Sequence, residues 1–237
     1  MPETLLELKS LAGGYGAIDV LFDVDLSIAE GQVVALCGRN GMGKTSTIRA
    51  IMGALAHRGG DIRFAGRSIL GMPPHTIARL GIGLVPEGRQ LFPSLSVREN
   101  LDVLARSRVS SSKPWTLARA LEMFPRLKEM LDRPAWQTSG GEQQMIAIAR
   151  ALMTNPKLLI LDEATEGLAP LIRHQIWQTL HRLKTEGLSL LVVDKNLRAL
   201  SKIADSCYVL ERGRTIWRGT GAELATEREH IERMLTV

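Results

Sequence analysis

The chain has little of what nucleic-acid-binding and membrane-spanning proteins need. Aromatic residues are 4% of its 237 residues, and no basic run with interleaved aromatics accompanies the net charge of +5, so nucleic acid is not supported as a partner. No apolar run approaches eighteen residues, and residues 1–4 lack the basic start of a secretion signal. We expect a cytoplasmic protein that does not cross the membrane.

Metal-binding and redox chemistry also lack support. The two cysteines, Cys37 and Cys207, fall in separate predicted strands without ligand spacing, and the five histidines do not cluster. We predict two buried, inert thiols and no protein-held transition metal.

What is present is a glycine-rich phosphate-binding pattern. Residues 38–45, GRNGMGKT, fit G-x-x-x-x-G-K-[ST], with an apolar strand at 33–37 before them and a predicted helix from Ser46 after them. Glycines let backbone N–H groups approach a triphosphate, and the helix N-terminus attracts it. Lys44 would reach the β- and γ-phosphates, and Thr45 would ligate Mg²⁺. A plain glycine turn before a helix is the weaker alternative.

Two further segments carry polar residues at useful positions. Ser139-Gly140-Gly141-Glu142 is a capping box with two extra glycines, and its spacing leaves a well-capped helix and an open anion site equally favoured. Residues 158–163 form an apolar strand that ends in Asp162 and Glu163. The first acid would hold the Mg²⁺ shell and the second would accept a proton from the attacking water, unless both merely cap the following helix.

A lone aromatic precedes these motifs. Tyr15 lies among Gly13, Gly14 and Gly16, which predicts an exposed turn. An ordinary turn tyrosine and a platform that stacks on adenine are both open interpretations.

The periodicity predicts an α/β fold with a largely parallel sheet and helices on both faces. We expect helices throughout residues 96–155, including one over Trp115–Leu131, with a loop at 109–114, and a final helix over Ala222–Leu235. The predicted strands are 5–9, 20–28, 33–37, 61–65, 82–85, 158–161, 188–193, 207–210 and 215–217.

In this order, the loop at 38–45, SGGEQQ at 139–144 and LLILDEAT at 158–165 resemble the nucleotide-binding subunit of ABC transporters. The resemblance implies a single ABC ATPase domain over 1–237, with a P-loop NTPase sheet lobe (RecA-like, plus antiparallel N-terminal strands) at 1–86 and 156–237. The helical lobe with the signature segment would be 87–155. ATP and Mg²⁺ are the implied ligands, and the implied reaction is ATP hydrolysis.

The resemblance also assigns residues. The implied ATP contacts are Tyr15, Gly38, Arg39, Asn40, Gly41, Met42, Gly43, Lys44, Thr45 and Ser46. Thr45, Glu87 and Asp162 would be linked to Mg²⁺, and Glu163 and Lys195 would act in catalysis. In a head-to-tail homo- or heterodimer, the signature residues Ser139, Gly140, Gly141 and Glu142 would reach the ATP of the partner subunit.

Local phrases at residues 85–89, 166–170 and 208–211 resemble the branched-chain amino acid uptake subgroup, with urea and short-amide importers as close relatives. The resemblance to this subgroup implies three further properties: membrane permease subunits as partners, an external solute-binding protein as an indirect partner, and a peripheral position on the cytoplasmic face of the membrane. A permease surface is expected near Glu87, Arg89 and Phe92, and ordinary packing between the lobes is an equally open interpretation of Phe92.

Two departures from the family pattern bear on hydrolysis. Glu87 replaces the glutamine of the loop that senses Mg²⁺, and Lys195 replaces the histidine that holds the γ-phosphate. Because a lysine ammonium is a flexible point charge, we expect slower hydrolysis than with histidine. A weakly hydrolysing partner of a second ATPase subunit is therefore an alternative. A soluble ABC ATPase acting on DNA or ribosomes is a weaker one, because a second cassette and a long coiled coil are both missing.

Overall fold

The computed structural model describes residues 3–105 and 113–234, and it begins with an antiparallel hairpin. Strands β1 (Thr4–Tyr15) and β2 (Ile18–Ala29) pair antiparallel, and β4 (Ala56–Phe64) and the short β5 (Arg67–Ser68) extend the sheet beyond β1. Inward apolar residues alternate with exposed ones along β2, which is typical of a sheet with one covered face.

The second part of the sheet is mostly parallel. Its strands are β3 (Val33–Cys37), β6 (Ile82–Val85), β7 (Leu158–Asp162), β8 (Ser189–Val193), β9 (Ser206–Glu211) and β10 (Arg214–Gly219). The full order is β5-β4-β1-β2-β10-β9-β3-β8-β7-β6, and a single parallel pair, Arg214 with Asp23, joins the two parts. This mixed α/β sheet confirms the predicted P-loop NTPase fold with antiparallel N-terminal strands.

Helices cover both faces of the sheet. They are α1 (Lys44–Ile51), α2 (Pro74–Leu80), α3 (Val97–Asp102), α4 (Leu117–Met123), α5 (Gly140–Leu152), α6 (Pro170–Thr185), α7 (Leu197–Ile203), α8 (Gly221–Thr226) and α9 (Arg228–Met234). Within residues 3–105 and 113–234, none is both long and apolar enough to cross a bilayer.

The central strand β3 shows how the core is divided. Val33, Ala35 and Cys37 join one buried apolar cluster with α5 and α6, whereas Val34 and Leu36 join another with α1 and the N-terminal strands. Cys37 and Cys207 are both buried free thiols, and burial raises the pKa of each. The prediction of inert buried cysteines is confirmed.

The prediction of one helix over Trp115–Leu131 is wrong. Helix α3 ends at Asp102, and α4 ends before Pro125, where the chain tightens into a 3-10 helix over Pro125–Met130. Proline has no N–H to continue the ladder and forces Phe124 out of the helical region, so the apolar spacing over Trp115–Leu131 spans two elements. Residues 109–112 of the predicted loop lie outside the described residues.

The final predicted helix is also two elements. Glu227 separates α8 from α9, and Leu235 lies outside the described residues. The parallel register meanwhile brings Leu36, Val193 and Asp162 into one row across β3, β8 and β7. The carboxyl ends of these three strands therefore share one edge, where α/β proteins bind ligands.

Candidate functional site

The loop after β3 needs glycine for steric reasons. Gly38 has φ +155°, and a Cβ there would lie 2.8 Å from the Leu210 carbonyl oxygen. Gly43 has φ +106°, and its Cβ would meet the Leu21 side chain at 3.0 Å. The backbone thus packs against neighbouring strands in a path that other residues could not follow without strain.

The loop leads directly into the start of α1. No side chain caps this helix, whose first residue is Lys44. The N–H groups of its first turn, including those of Thr45 and Ser46, therefore have no acceptor within the helix. An uncapped helix N-terminus beside a glycine loop is a site suited to an anion.

Lys44 is almost completely buried. Its ammonium donates to the carbonyl oxygens of Gly38 at 2.9 Å and Arg39 at 3.1 Å, and it lies 3.4 Å from Glu163 Oε1. These contacts hold a buried positive charge within the loop.

Asp162, the last residue of β7, is 3% exposed. Burial raises the pKa of its carboxyl, and a hydrogen bond with the Thr45 side chain acts in the opposite direction. Its Oδ1 has no hydrogen-bond partner in the part of the chain that the structure describes. A buried carboxylate oxygen without a partner, beside a hydroxyl, suits a hard cation such as Mg²⁺, so these residues fit the metal that the fold implies.

Glu163 takes a strained backbone conformation. It has φ +49°, and its N–H donates to the Val193 carbonyl at 2.9 Å. A hydrogen bond with Glu166, together with partial burial, raises the pKa of Glu163 to about 7, while Lys44 opposes the shift. From this strained turn, the carboxyl lies 3.4 Å from the Lys44 ammonium.

Three residues, Glu87, Glu166 and Lys195, form the surroundings of Glu163. Lys195 Nζ is 2.5 Å from Glu166 Oε1, and Glu87, Glu163 and Glu166 each place an oxygen within 4.8 Å of the others. The predicted site residues Glu87 and Lys195 are thus brought to Glu163. Sequence reasoning missed Glu166 as a site residue, although its spacing of three from Glu163 was visible.

Tyr15 is the last residue of β1 rather than part of the following turn, and it is 38% exposed. Its hydroxyl lies 3.3 Å from Ser46 Oγ and accepts a hydrogen bond from Arg49 at 3.0 Å. The ring is therefore held against α1, beside the glycine loop.

The remaining residues of the glycine loop over 38–45 lie on its outer, solvent-facing side. Arg39 and Asn40 are exposed, and Gly41 has φ +81° with open space around its Cβ position. The Met42 carbonyl accepts a hydrogen bond from Gly213 N at 3.0 Å, which ties the loop to the turn before β10.

The signature residues begin α5. Ser139 caps the helix: its hydroxyl accepts from Glu142 N, and Glu142 Oε2 accepts from Ser139 N at 2.7 Å. Glu142 also pairs with Arg126 at 2.9 Å. A Cβ on Gly141 would lie 2.7 Å from Ile172 of α6. Ser139 therefore forms the predicted capping box at the start of α5.

The loop after β6 is fastened to α5. Arg89 and Gln90 both have positive φ, and buried Arg150 donates to their carbonyl oxygens at 3.2 and 2.8 Å. The Arg89 guanidinium donates to Gln143 Oε1 at 3.4 Å. Phe92 stays 44% exposed on this loop.

The sheet, the glycine loop and the strand-end acids together define a P-loop NTPase. Comparison with known proteins identifies the family: the sequence model described as "ABC transporter" matches residues 21–166. The chain therefore belongs to the ABC transporter family, and it is an ATP-binding, ATP-hydrolysing subunit of such a transporter.

Several relatives are similar over nearly their whole length. BraG of Pseudomonas aeruginosa, named as a high-affinity branched-chain amino acid transport ATP-binding protein, is 41% identical, with 94% of this chain and 95% of BraG covered. LivF of Archaeoglobus fulgidus, a probable branched-chain amino acid transport ATP-binding protein, is 34% identical, with 97% and 98% covered. LptB of Escherichia coli, a lipopolysaccharide export ATP-binding protein, is 33% identical, with 97% and 95% covered.

Solved structures of ABC transporter cassettes have the same fold as this chain. One titled as the ATP-binding subunit of an ABC transporter has a TM-score of 0.84 and 31% identity, and covers 98% of this chain and all of the other. A dimeric cassette in a post-hydrolysis state with ADP and Pi has a TM-score of 0.79 and 25% identity, with 91% of this chain and 98% of that one covered. Cassettes of this family dimerise and work with membrane permease components.

Proposed function

We propose that this chain drives the uptake of branched-chain amino acids by Mg²⁺-dependent ATP hydrolysis in a dimer of cassettes. The arrangement of Lys44, Asp162 and Glu163 at one sheet edge is the observation that carries the hydrolytic part. The similarity to BraG and LivF over almost the whole chain supports the cargo.

Each residue of the site has a task in this proposal. The N–H groups at the start of α1 and the Lys44 ammonium bind the phosphates of ATP, and Tyr15 stacks on the adenine. Thr45 and Asp162 hold Mg²⁺, with Glu87 nearby, and the bound metal neutralises phosphate charge. The Glu163 carboxylate accepts the proton of the attacking water, which contributes roughly 10²–10⁴ to the rate.

A second subunit completes the site. The exposed Ser139 and the glycines that follow it approach the ATP held by the partner, so each dimer encloses two nucleotides. Residues 87–155 form the helical lobe, and the exposed Phe92 with Glu87 and Arg89 contacts the permease. Because the permease lies in the membrane, the chain acts as a peripheral subunit at the cytoplasmic face.

A weakly hydrolysing subunit is the second candidate function. The Lys195 ammonium is already paired with Glu166, whereas the histidine that it replaces in the family holds a phosphate. Uptake of urea or amides is the alternative cargo.

Turnover of Mg²⁺-ATP by the purified chain at rising protein concentration tests hydrolysis, with Glu163→Gln as the blank. A rate per molecule that rises with concentration and disappears in the blank supports self-assembled hydrolytic sites. Turnover no higher than the blank, with ATP still bound, favours the weakly hydrolysing alternative. Uptake of labelled leucine against labelled urea, in cells that coexpress the permease subunits, tests the cargo.

A further inference from the structure

Four charged side chains form a row at the end of β7 and β8. Lys44 Nζ lies 3.4 Å from Glu163 Oε1, the Glu163 and Glu166 carboxyl groups place oxygens within 4.8 Å of each other, and Glu166 Oε1 lies 2.5 Å from Lys195 Nζ. The two cations are at the ends and the two carboxyl groups are in the middle.

The loops after β7 and β8, which carry Glu163, Glu166 and Lys195, are tied together at their base. Glu163 N donates to the Val193 carbonyl at 2.9 Å, and the buried Thr165 hydroxyl donates to buried Asp194 Oδ2 at 2.5 Å. The backbone of both loops is thus fixed without Lys195. Glu166 and Lys195 both line a cavity of about 310 Å³ between the loops.

We propose that Lys195 is a positioning residue that acts through Glu166: its ammonium holds the Glu166 carboxylate beside Glu163 and so sets the orientation of the Glu163 carboxyl. The inference rests on the proposed role of Glu163 in hydrolysis. It gives Lys195 a different task from that of the family histidine, which holds the γ-phosphate.

Electrostatics explains why the pair is needed. Two neighbouring carboxyl groups repel when both are ionised, and a cation on the far side of one of them offsets that repulsion. Without Lys195, the Glu166 side chain, which is 41% exposed, is free to turn into water. Because Lys195 is 60% exposed, the ion pair contributes little to folding, and its loss changes orientation more than stability.

Steady-state hydrolysis of Mg²⁺-ATP by the full chain tests the proposal with Lys195→Ala, Glu166→Gln and the double variant. We expect Lys195→Ala to lower kcat about tenfold with KM for ATP unchanged, which is part of the contribution of a general base. Lys195→Arg should recover most of kcat, because it restores the cation. In the Glu166→Gln background, Lys195→Ala should have no further effect.

Two kinetic results would overturn the proposal. One is a double variant whose kcat loss is the product of the two single losses. The other is a rise in KM for ATP with Lys195→Ala, which would indicate direct contact with the nucleotide.

A second measurement does not need turnover. Acetylation of Lys195 by acetic anhydride, followed by peptide mass spectrometry, reports whether its amine is paired, with exposed Lys202 of α7 as internal reference. Glu166→Gln should speed acetylation of Lys195 at least about twofold, because pairing with Glu166 raises the pKa of the amine. An unchanged ratio to Lys202 would show that the pair does not form, whereas wild-type turnover no higher than Glu163→Gln would contradict the proposed function instead.

Discussion

The substitution Gly141→Ala separates two reasons for a glycine in the signature segment. Gly141 is the second residue of α5, and its added methyl group would lie 2.7 Å from Ile172 Cγ2 and 3.0 Å from Cγ1. Alanine favours the helix by about 0.5–1 kcal/mol, whereas a forced contact of this kind costs about 1–3 kcal/mol. We therefore expect the free energy of unfolding to fall by about 1 kcal/mol.

Urea unfolding of the nucleotide-free chain measures this change. The melting temperature should fall by about 2–4 °C, as expected for 1 kcal/mol in a domain of this size. Gly140→Ala is the matched control, since its methyl group would meet only the flexible end of Arg89 at 3.0 Å. That variant should be as stable as the wild type, or slightly more stable.

The pair Gly141→Ala and Ile172→Ala tests the cause. Ile172→Ala removes Cγ1 and Cγ2, the two carbons that the new group would crowd, so Gly141→Ala should cost nothing further in that background. If Gly141→Ala is instead as stable as Gly140→Ala, or its cost is unchanged by Ile172→Ala, the packing argument is refuted. Close approach of a ligand would then be the remaining physical reason for the glycine.

Three other predictions concern the nucleotide site. Because the pKa of Glu163 is raised to about 7, its proton-accepting form is lost as the pH falls, and kcat/KM should drop about tenfold from pH 8 to pH 6. Glu166→Gln should shift this pH dependence to lower pH. An unshifted pH dependence would contradict the role of Glu163 as the proton acceptor. Asp162→Asn should raise the melting temperature at pH 7 without ligands, since it removes a buried charge. It should also abolish any stabilisation by Mg²⁺-ATP over ATP alone. A lower melting temperature would show that burial of this carboxylate does not destabilise the fold. Tyr15→Phe should retain ATP affinity by calorimetry, whereas Tyr15→Ala should lose about tenfold or more if the ring stacks on the base, and equal affinities would exclude stacking.

Local patterns were sufficient for the centre of the fold. The apolar run at 33–37 is buried on both faces as β3, and the glycine loop and α1 follow it as the spacing predicts. The S-x-x-E pattern at Ser139 forms the predicted capping box. These features depend on residues close in sequence, which is why they can be predicted without a structure.

The rest depends on contacts between distant residues. Apolar spacing alone could not show that the helix over 115–131 breaks at Pro125, because the same leucines and Phe124 pack into the core on both sides of the break. Nor could spacing show that Lys195 pairs with Glu166, since the two are brought together only by the parallel register of β7 and β8. The ligand roles of the signature residues stay predictions.

The attachment of the loop after β6 has a mechanical consequence. The buried Arg150 guanidinium donates hydrogen bonds to the carbonyl groups of Arg89 and Gln90. These two residues therefore move together with α5. The hinge between β6 and this loop then lies at Gly88, because its φ is +74° and no atom lies within 4 Å of its Cβ position, so its backbone can rotate. A displacement of Phe92 by a binding partner would thus move α5 as a rigid body, including its N-terminal end at Ser139.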